Sequence, residues 1–276
     1  MIQKRMVTRV LAVLGLGTLL STASAAEPQT VQIFAAGSLR GVVGDLAAQA
    51  AATMHIEVKS SFGGSGSMRE RIEKGEPADL LMSADVGAPE KLEAQGRTVV
   101  PTIAFARNRM CIVSRKTAGV TAANLIDRLL DTKTHLKTST PIVDPSGDYA
   151  WDIFKRVEAL RPGAQAILEK KAQASMKLVA TAATPRQSAA AALFATHAID
   201  MSITYCSGSA ALTKEMPELT SLIVPAKLDP RPLYGVAILS TRPEVMRLAL
   251  YLLSEKGQAI IAKQGLVPLV APAGQQ

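Results

Sequence analysis

Two short stretches carry residue types suited to holding an anion, Phe34-Ala35-Ala36-Gly37-Ser38-Leu39 and Phe62-Gly63-Gly64-Ser65-Gly66-Ser67. Each follows a strand-like run and leads into an amphipathic helical pattern. The first turn of a helix exposes backbone N–H groups that have no intrahelical partner, and the macrodipole places its positive end there. Two serine-bearing helix starts that converge would form a neutral cradle rich in donors. Neither stretch carries a charged side chain, so the chemistry it suggests is hydrogen bonding rather than ion pairing. A serine at such a place also fits plain N-capping. That is the reading for Ser67, which stands three residues before Glu70 in capping-box spacing.

Catalytic chemistry is poorly served by the same residues. A nucleophile elbow needs Gly-x-Ser-x-Gly, and Gly63-Gly64-Ser65-Gly66-Ser67 ends on serine instead. No lysine follows the glycines as it would in a phosphate-binding P-loop. The histidines, His55, His135 and His197, are scattered without metal-ligand spacing. Asp79 and Asp85 read as caps of a turn and of a helix start rather than as an acid pair. The expectation is a binding protein and not an enzyme. Cys111 and Cys206 both occupy strand-like positions, where two buried thiols and one disulfide fit equally.

The N-terminus reads as a secretory signal over residues 1–26. Lys4, Arg5 and Arg9 precede an apolar run from Val10 to Leu20, and Ala23-Ser24-Ala25-Ala26 supplies small residues for cleavage. The run is shorter than the ~20 residues a membrane span needs. No cysteine stands near the cleavage point to accept a lipid, so a soluble periplasmic protein is expected. The formal charge of +8 becomes +5 without the three basic residues of the signal, from 28 basic and 23 acidic residues. That excess suits general attraction of anions. Aromatic residues make up only 4% of the chain and do not cluster, which argues against nucleic acid as a partner.

Along the remaining chain strand and helix patterns alternate, which favours an α/β fold with a mainly parallel sheet. Val31 and Ile33 start a strand, and Leu39, Val42, Val43, Leu46, Ala47 and Ala50 share a helix face. Strands follow at Ile56–Phe62 and Asp79–Ser83. From about Ala106 the alternation starts again, with a strand at Met110–Val113, a helix at Asn124–Leu130, a turn at Asp144-Pro145-Ser146-Gly147-Asp148 leading into a helix, another helix over 187–196 and a strand at Met201–Cys206. Strands at Leu222–Val224 and Tyr234–Leu239, then helices over 243–253 and 257–263, complete the chain. Two lobes are expected, residues 27–104 with 229–276 and residues 105–228, joined by crossings near 102–107 and 225–233. Such a pair can close over a ligand.

The combination Ala35-Ala36-Gly37-Ser38-Leu39, Ser61-Phe62-Gly63-Gly64-Ser65-Gly66-Ser67 and the run from Arg71 to Asp85 resembles the periplasmic molybdate-binding proteins, the solute receptors of ABC importers. Weaker similarity continues at Tyr149, at Ile203-Thr204-Tyr205, over 255–260 and at Gly265-Leu266-Val267-Pro268. The resemblance implies a type II periplasmic-binding-protein fold of two α/β lobes with a central ligand cleft and two crossover segments. It implies a monomer that binds molybdate or tungstate and delivers it to a permease in the inner membrane. It maps ligand contacts onto Ser38, Ser65 and Tyr205, with a backbone donor near Ser146, so the metal is held only through its oxygens.

The chain also departs from the family pattern. Gly64 and Gly66 flank Ser65 where the family is richer in serine, which exchanges side-chain donors for close backbone approach. Pro185 stands where the family offers a backbone N–H, and proline has none. Either Arg186 supplies that contact or the bond is missing. A site of donors without a carboxylate suits a dianion free of protons, such as molybdate, tungstate or sulfate, better than protonated phosphate. Asp148, near the Ser146 turn, is the one acidic residue that qualifies this expectation. A small organic anion, or a sensory rather than a transport role, is the alternative.

Overall fold

The computed structural model describes residues 29–182, 184 and 187–270. The signal read over residues 1–26 lies outside them, and so do Pro185 and Arg186.

Two β-sheets divide the described residues between two lobes. The first lobe opens with β1 (Gln29–Ala36), α1 (Arg40–Met54), β2 (Ile56–Gly63), α2 (Ser65–Glu73), β3 (Leu80–Ser83), α3 (Gly87–Ala94) and β4 (Ile103–Arg107). The second contains β5 (Met110–Arg115), α4 (Leu125–Leu130), β6 (Leu136–Lys137), α5 (Pro145–Glu158), α6 (Ala164–Met176), α7 (Ala189–Ala195), β7 (Met201–Tyr205), α8 (Cys206–Glu215) and β8 (Leu219–Ile223). The chain then returns to the first lobe as β9 (Leu233–Ile238), α9 (Pro243–Leu253), α10 (Glu255–Lys263) and β10 (Val267–Pro268). The six-stranded sheet has the order β10-β4-β9-β3-β1-β2 and the four-stranded sheet β6-β7-β5-β8.

The helices form where apolar spacing lets them cover these sheets. Val42, Val43, Leu46 and Ala50 are the buried face of α1, the spacing of a single helical stripe. In α5, Ala150, Ile153, Phe154 and Val157 do the same for the second lobe. The strands of the first sheet's centre are buried on both faces, as in β3, where all four residues are buried. Runs of this kind read as continuous apolar segments rather than alternating ones.

Four features differ from the sequence expectation. The sheets are mixed rather than mainly parallel: β1 runs parallel to β2 and β3, but β9 runs antiparallel to both β3 and β4, and β5 is antiparallel to β7 and β8. β4, which leaves for the second lobe, points the same way as β1–β3, and β9, which returns from it, inserts between β4 and β3 in the opposite direction. The helix α2 begins at Ser65 with Gly64 as its N-cap and no side-chain cap, so Ser67 lies inside the first turn and its hydroxyl caps nothing. The last strand of the second lobe is Leu219–Ile223, earlier than 222–224. Helices α6 and α8 were not foreseen. Their buried faces rest on small residues, Ala164, Ala172 and Ser175 around Leu168 in α6, and Ser209 with Leu212 in α8, which give little hydropathic contrast.

Cys111 and Cys206 form a disulfide with Cα atoms 4.9 Å apart, settling the alternative that the sequence left open. The bond joins β5 to the first residue of α8, immediately after Tyr205.

Candidate functional site

A cavity of about 310 Å³ lies between the lobes. The first lobe contributes Ala36, Gly37, Ser38, Gly63 and Gly64, where β1 and β2 end and the next helices begin. The second contributes Ser139, Asp144 and Ser146 before and at the start of α5, and Thr204, Tyr205 and Gly208 around the start of α8. Four helix starts thus face one space. Of these, only α5 has a side-chain cap, the Asp144 carboxylate accepting from the Ser146 N–H at 3.1 Å. The others have no side-chain cap, although the first N–H of α8, that of Cys206, is taken by the Arg109 carbonyl at 2.9 Å, and they present positive dipole ends that attract an anion.

Tyr205 is the most telling residue of the cavity. It is 6% exposed, and its hydroxyl has no hydrogen-bond partner. A buried hydroxyl left unpaired costs about 1–3 kcal/mol, a cost that a bound acceptor would remove. Burial raises the phenol's pKa well above its ordinary value, with Tyr234 and Asp144 adding to the rise. The group therefore stays protonated and can act as a donor. Its ring packs edge-on against Tyr149 and Tyr234, at centroid distances of 6.3 and 5.7 Å.

The remaining sequence candidates fall in three positions. Ser38 and Ser146 line the same cavity as Tyr205. Ser65 is fully buried behind the wall formed by Gly63 and Gly64, and its hydroxyl accepts from the Ala84 N–H at 3.0 Å, tying α2 to the end of β3. Its own backbone N–H belongs to the first turn of α2 and has no helical acceptor. Arg186 lies outside the described residues. The Ser146 N–H, the donor implied by the family resemblance, is engaged by Asp144.

The acidic residue at the cavity is Asp144 rather than Asp148. Asp148 accepts from the Ile142 N–H at 2.9 Å, and desolvation raises its carboxyl pKa. Asp85 serves as a helix-start acceptor, taking the Ala88 N–H and the Ser83 hydroxyl, whereas Asp79 takes the Gln32 N–H of β1 and pairs with Arg242 at 2.7 Å instead of capping a turn. Ser139 and Thr204 were missed by sequence reasoning. The polar run Thr138-Ser139-Thr140 ahead of the Asp144 turn was the available signal for the first, whereas nothing in the sequence marks Thr204 apart from its place beside Tyr205.

The two lobes touch at the rim. A Cβ built on Gly64 would stand 2.1 Å from the Val143 carbonyl oxygen, and one on Gly66 would stand 2.1 Å from that of Ile142. Glycine at both positions is what lets the lobe-two backbone approach the start of α2. A larger cavity, about 480 Å³, lies at the crossovers and is lined in part by Arg107, Arg109 and Arg231. Those arginines are exposed, and the one carboxylate there, Asp229, is engaged by the Arg231 N–H at 3.0 Å. The interlobe cavity, with its orphaned tyrosine hydroxyl, is the stronger site.

Relatives share this architecture. A protein of Pasteurella multocida described as uncharacterized is 30% identical over 243 residues, covering 86% of this chain and 98% of its own. The molybdate-binding protein of Azotobacter vinelandii is 29% identical over 151 residues, 54% of this chain and 58% of that one. Among solved structures, the sulfate-binding protein SubI from Mycobacterium tuberculosis superposes with a TM-score of 0.67 at 16% identity, covering 87% of each chain, which speaks to the fold alone. The pattern of the bacterial extracellular solute-binding proteins runs through residues 31–267, from the first strand of one lobe through the whole of the other and back, and it is to this family that the chain belongs.

Proposed function

We propose that the protein captures a tetrahedral oxyanion free of protons, molybdate or tungstate, in the interlobe cavity and delivers it to an ABC-type permease, with no chemistry done on the ligand. The signal pattern over residues 1–26 supports export to the periplasm, where the two lobes close on the anion. The observation that carries this reading is the buried Tyr205 hydroxyl without a partner in a cavity faced by uncapped helix starts. Ser38, Ser146 and Tyr205 offer hydroxyl donors, α2 offers the Ser65 N–H, and Arg186 replaces the donor lost at Pro185. Hydrogen bonds to a charged group contribute about 1.5–3 kcal/mol each, so five or so offset the desolvation of a dianion.

The test is calorimetric titration of the mature protein with molybdate, tungstate, sulfate and phosphate in parallel, repeated with Tyr205→Phe. Submicromolar binding of molybdate or tungstate with sulfate silent, and a loss of at least about tenfold in the variant, is the expected result. Silence with all four anions refutes it.

Asp144 favours a second reading. Its carboxylate lines the cavity, and an acceptor there suits an anion that carries a proton, such as hydrogen phosphate or a small organic acid. Preference for phosphate in the same titration would select that alternative.

A further inference from the structure

Behind Ser38 runs a chain of hydrogen bonds whose direction can be worked out from one end. The Arg109 backbone N–H can only donate, and it lies 2.9 Å from Asn108 Oδ1. That contact fixes the Asn108 amide, so the nitrogen Nδ2, which only donates, is the atom facing Tyr234 Oη at 3.0 Å and Ser207 Oγ at 2.9 Å. Tyr234 is fully buried, and its hydroxyl has one further neighbour, Ser38 Oγ at 3.1 Å. Having accepted from Asn108, it has one proton to place. Donating that proton to Ser38 satisfies it, whereas accepting from Ser38 as well would strand a buried O–H at a cost of about 1–3 kcal/mol. The Ser38 oxygen is therefore an acceptor towards Tyr234, and its own proton has no other partner among the described residues. It is left for the cavity that Ser38 lines.

We propose that Asn108 and Tyr234 act as positioning residues that hold the Ser38 hydroxyl as a donor towards the ligand, so that this position accepts an oxyanion oxygen without a proton and disfavours one that carries a proton. The inference rests on the reading that an oxyanion occupies the interlobe cavity, and it extends that reading to how protonated and unprotonated anions are told apart. Tyr234 does not itself line the cavity. Burial raises its phenol pKa, with the bonds to Ser38 and Asn108 opposing the rise, and the relay therefore keeps its proton at neutral pH. Asn108 sits between β4 and β5 and holds Ser207 of α8 with the same nitrogen, so the relay is anchored in both lobes.

The experiment titrates wild type, Tyr234→Phe and Asn108→Asp with molybdate and with phosphate at neutral pH, with thermal melts to confirm folding. Tyr234→Phe frees the Ser38 hydroxyl to rotate. Molybdate binding should weaken about five- to tenfold, with phosphate changed less, so that the ratio of the two affinities narrows by at least about threefold. Asn108→Asp keeps the acceptor for the Arg109 N–H but turns the donor to Tyr234 into an acceptor, which reverses the relay. It should narrow the ratio further, whereas simple charge repulsion would weaken both anions alike. A ratio unchanged in both variants overturns the proposal, whether or not the absolute affinities fall.

A ligand-free measurement separates this from failure of the functional reading. The relay requires a slowly exchanging Tyr234 hydroxyl proton in the NMR spectrum, with a nuclear Overhauser contact to the Ser38 Cβ protons and loss of the signal in Tyr234→Phe. If wild type binds none of the anions but this proton is found, the functional reading fails and the relay stands. If the contact is absent in wild type, the relay fails.

Discussion

Replacing Gly66 by alanine tests whether the rim contact is what closes the protein. The added Cβ would stand 2.1 Å from the Ile142 carbonyl oxygen and 3.3 Å from that of Val143. An ordinary carbon–oxygen approach is about 3.3–3.6 Å, so the lobes must separate by at least about 1.2 Å at this point. Hydrogen bonds that span the cavity through a ligand begin near 2.9 Å and are lost beyond about 3.5 Å. A wedge of that size breaks the bonds to one lobe. Losing two bonds to a charged ligand removes roughly 3 kcal/mol or more, a fall of at least about a hundredfold in affinity. The helix itself should gain, because alanine inside a helix is favoured over glycine by about 1 kcal/mol. The expected signature is a melting temperature equal to or above wild type, an anion affinity at least a hundredfold weaker by calorimetry, and a larger radius of gyration in solution scattering. Affinity within about threefold of wild type in a folded variant would refute the reasoning, because the loop at 142–143 would then have moved aside at little cost.

Two further outcomes follow from residues around the cavity. Asp144→Asn keeps an N-cap for α5, since asparagine caps about as well as aspartate, and removes a carboxylate from the cavity wall. Molybdate affinity should rise and any binding of phosphate should fall, and the reverse in parallel titrations would favour a protonated ligand. Reducing the Cys111–Cys206 disulfide opens a loop of sequence separation 95, for which a loss of about 2–4 kcal/mol is typical. Chemical denaturation with and without reductant should show that loss, and coincident midpoints would contradict it.

The stretch from Gln29 to Ser83 is the most legible part of the described chain because its chemistry is local. A serine or glycine at the end of a strand, followed by an apolar stripe of helical period, specifies a strand–turn–helix unit by itself. Ser38 is legible for the same reason, at the end of a strand and the start of a helix, whereas Ser146 and Tyr205 stand out only through the family resemblance. What escaped depends on approach between distant segments. Ser65 sits in the right loop, yet its hydroxyl turns inwards to the Ala84 N–H, a contact set by how β3 packs against α2. Asp144 and Asp148 are four residues apart in one turn, and only the fold decides which of them faces the cavity. Asn108 and Tyr234 were invisible as a pair because 126 positions separate them. The mixed sheet order was hidden likewise, since strand direction next to a crossover is a property of topology and not of hydropathy.

The way the lobes are connected limits how they can move. The outgoing strand β4 and the returning strand β9 are paired neighbours in one sheet, and β5 and β8 are paired neighbours in the other. Between them the two links are tied to one another, Asn108 N–H to the Pro232 carbonyl at 3.0 Å and Val224 N–H to the Met110 carbonyl at 2.9 Å. Two chains side by side and cross-tied behave as a flat strap, stiff against sliding and twisting and compliant to bending about one axis. Opening is then a motion with a single degree of freedom. The distance between any two points on the outer faces of the lobes becomes a gauge of how far that motion has gone, and a membrane partner that touches both faces can sense occupancy without contacting the solute.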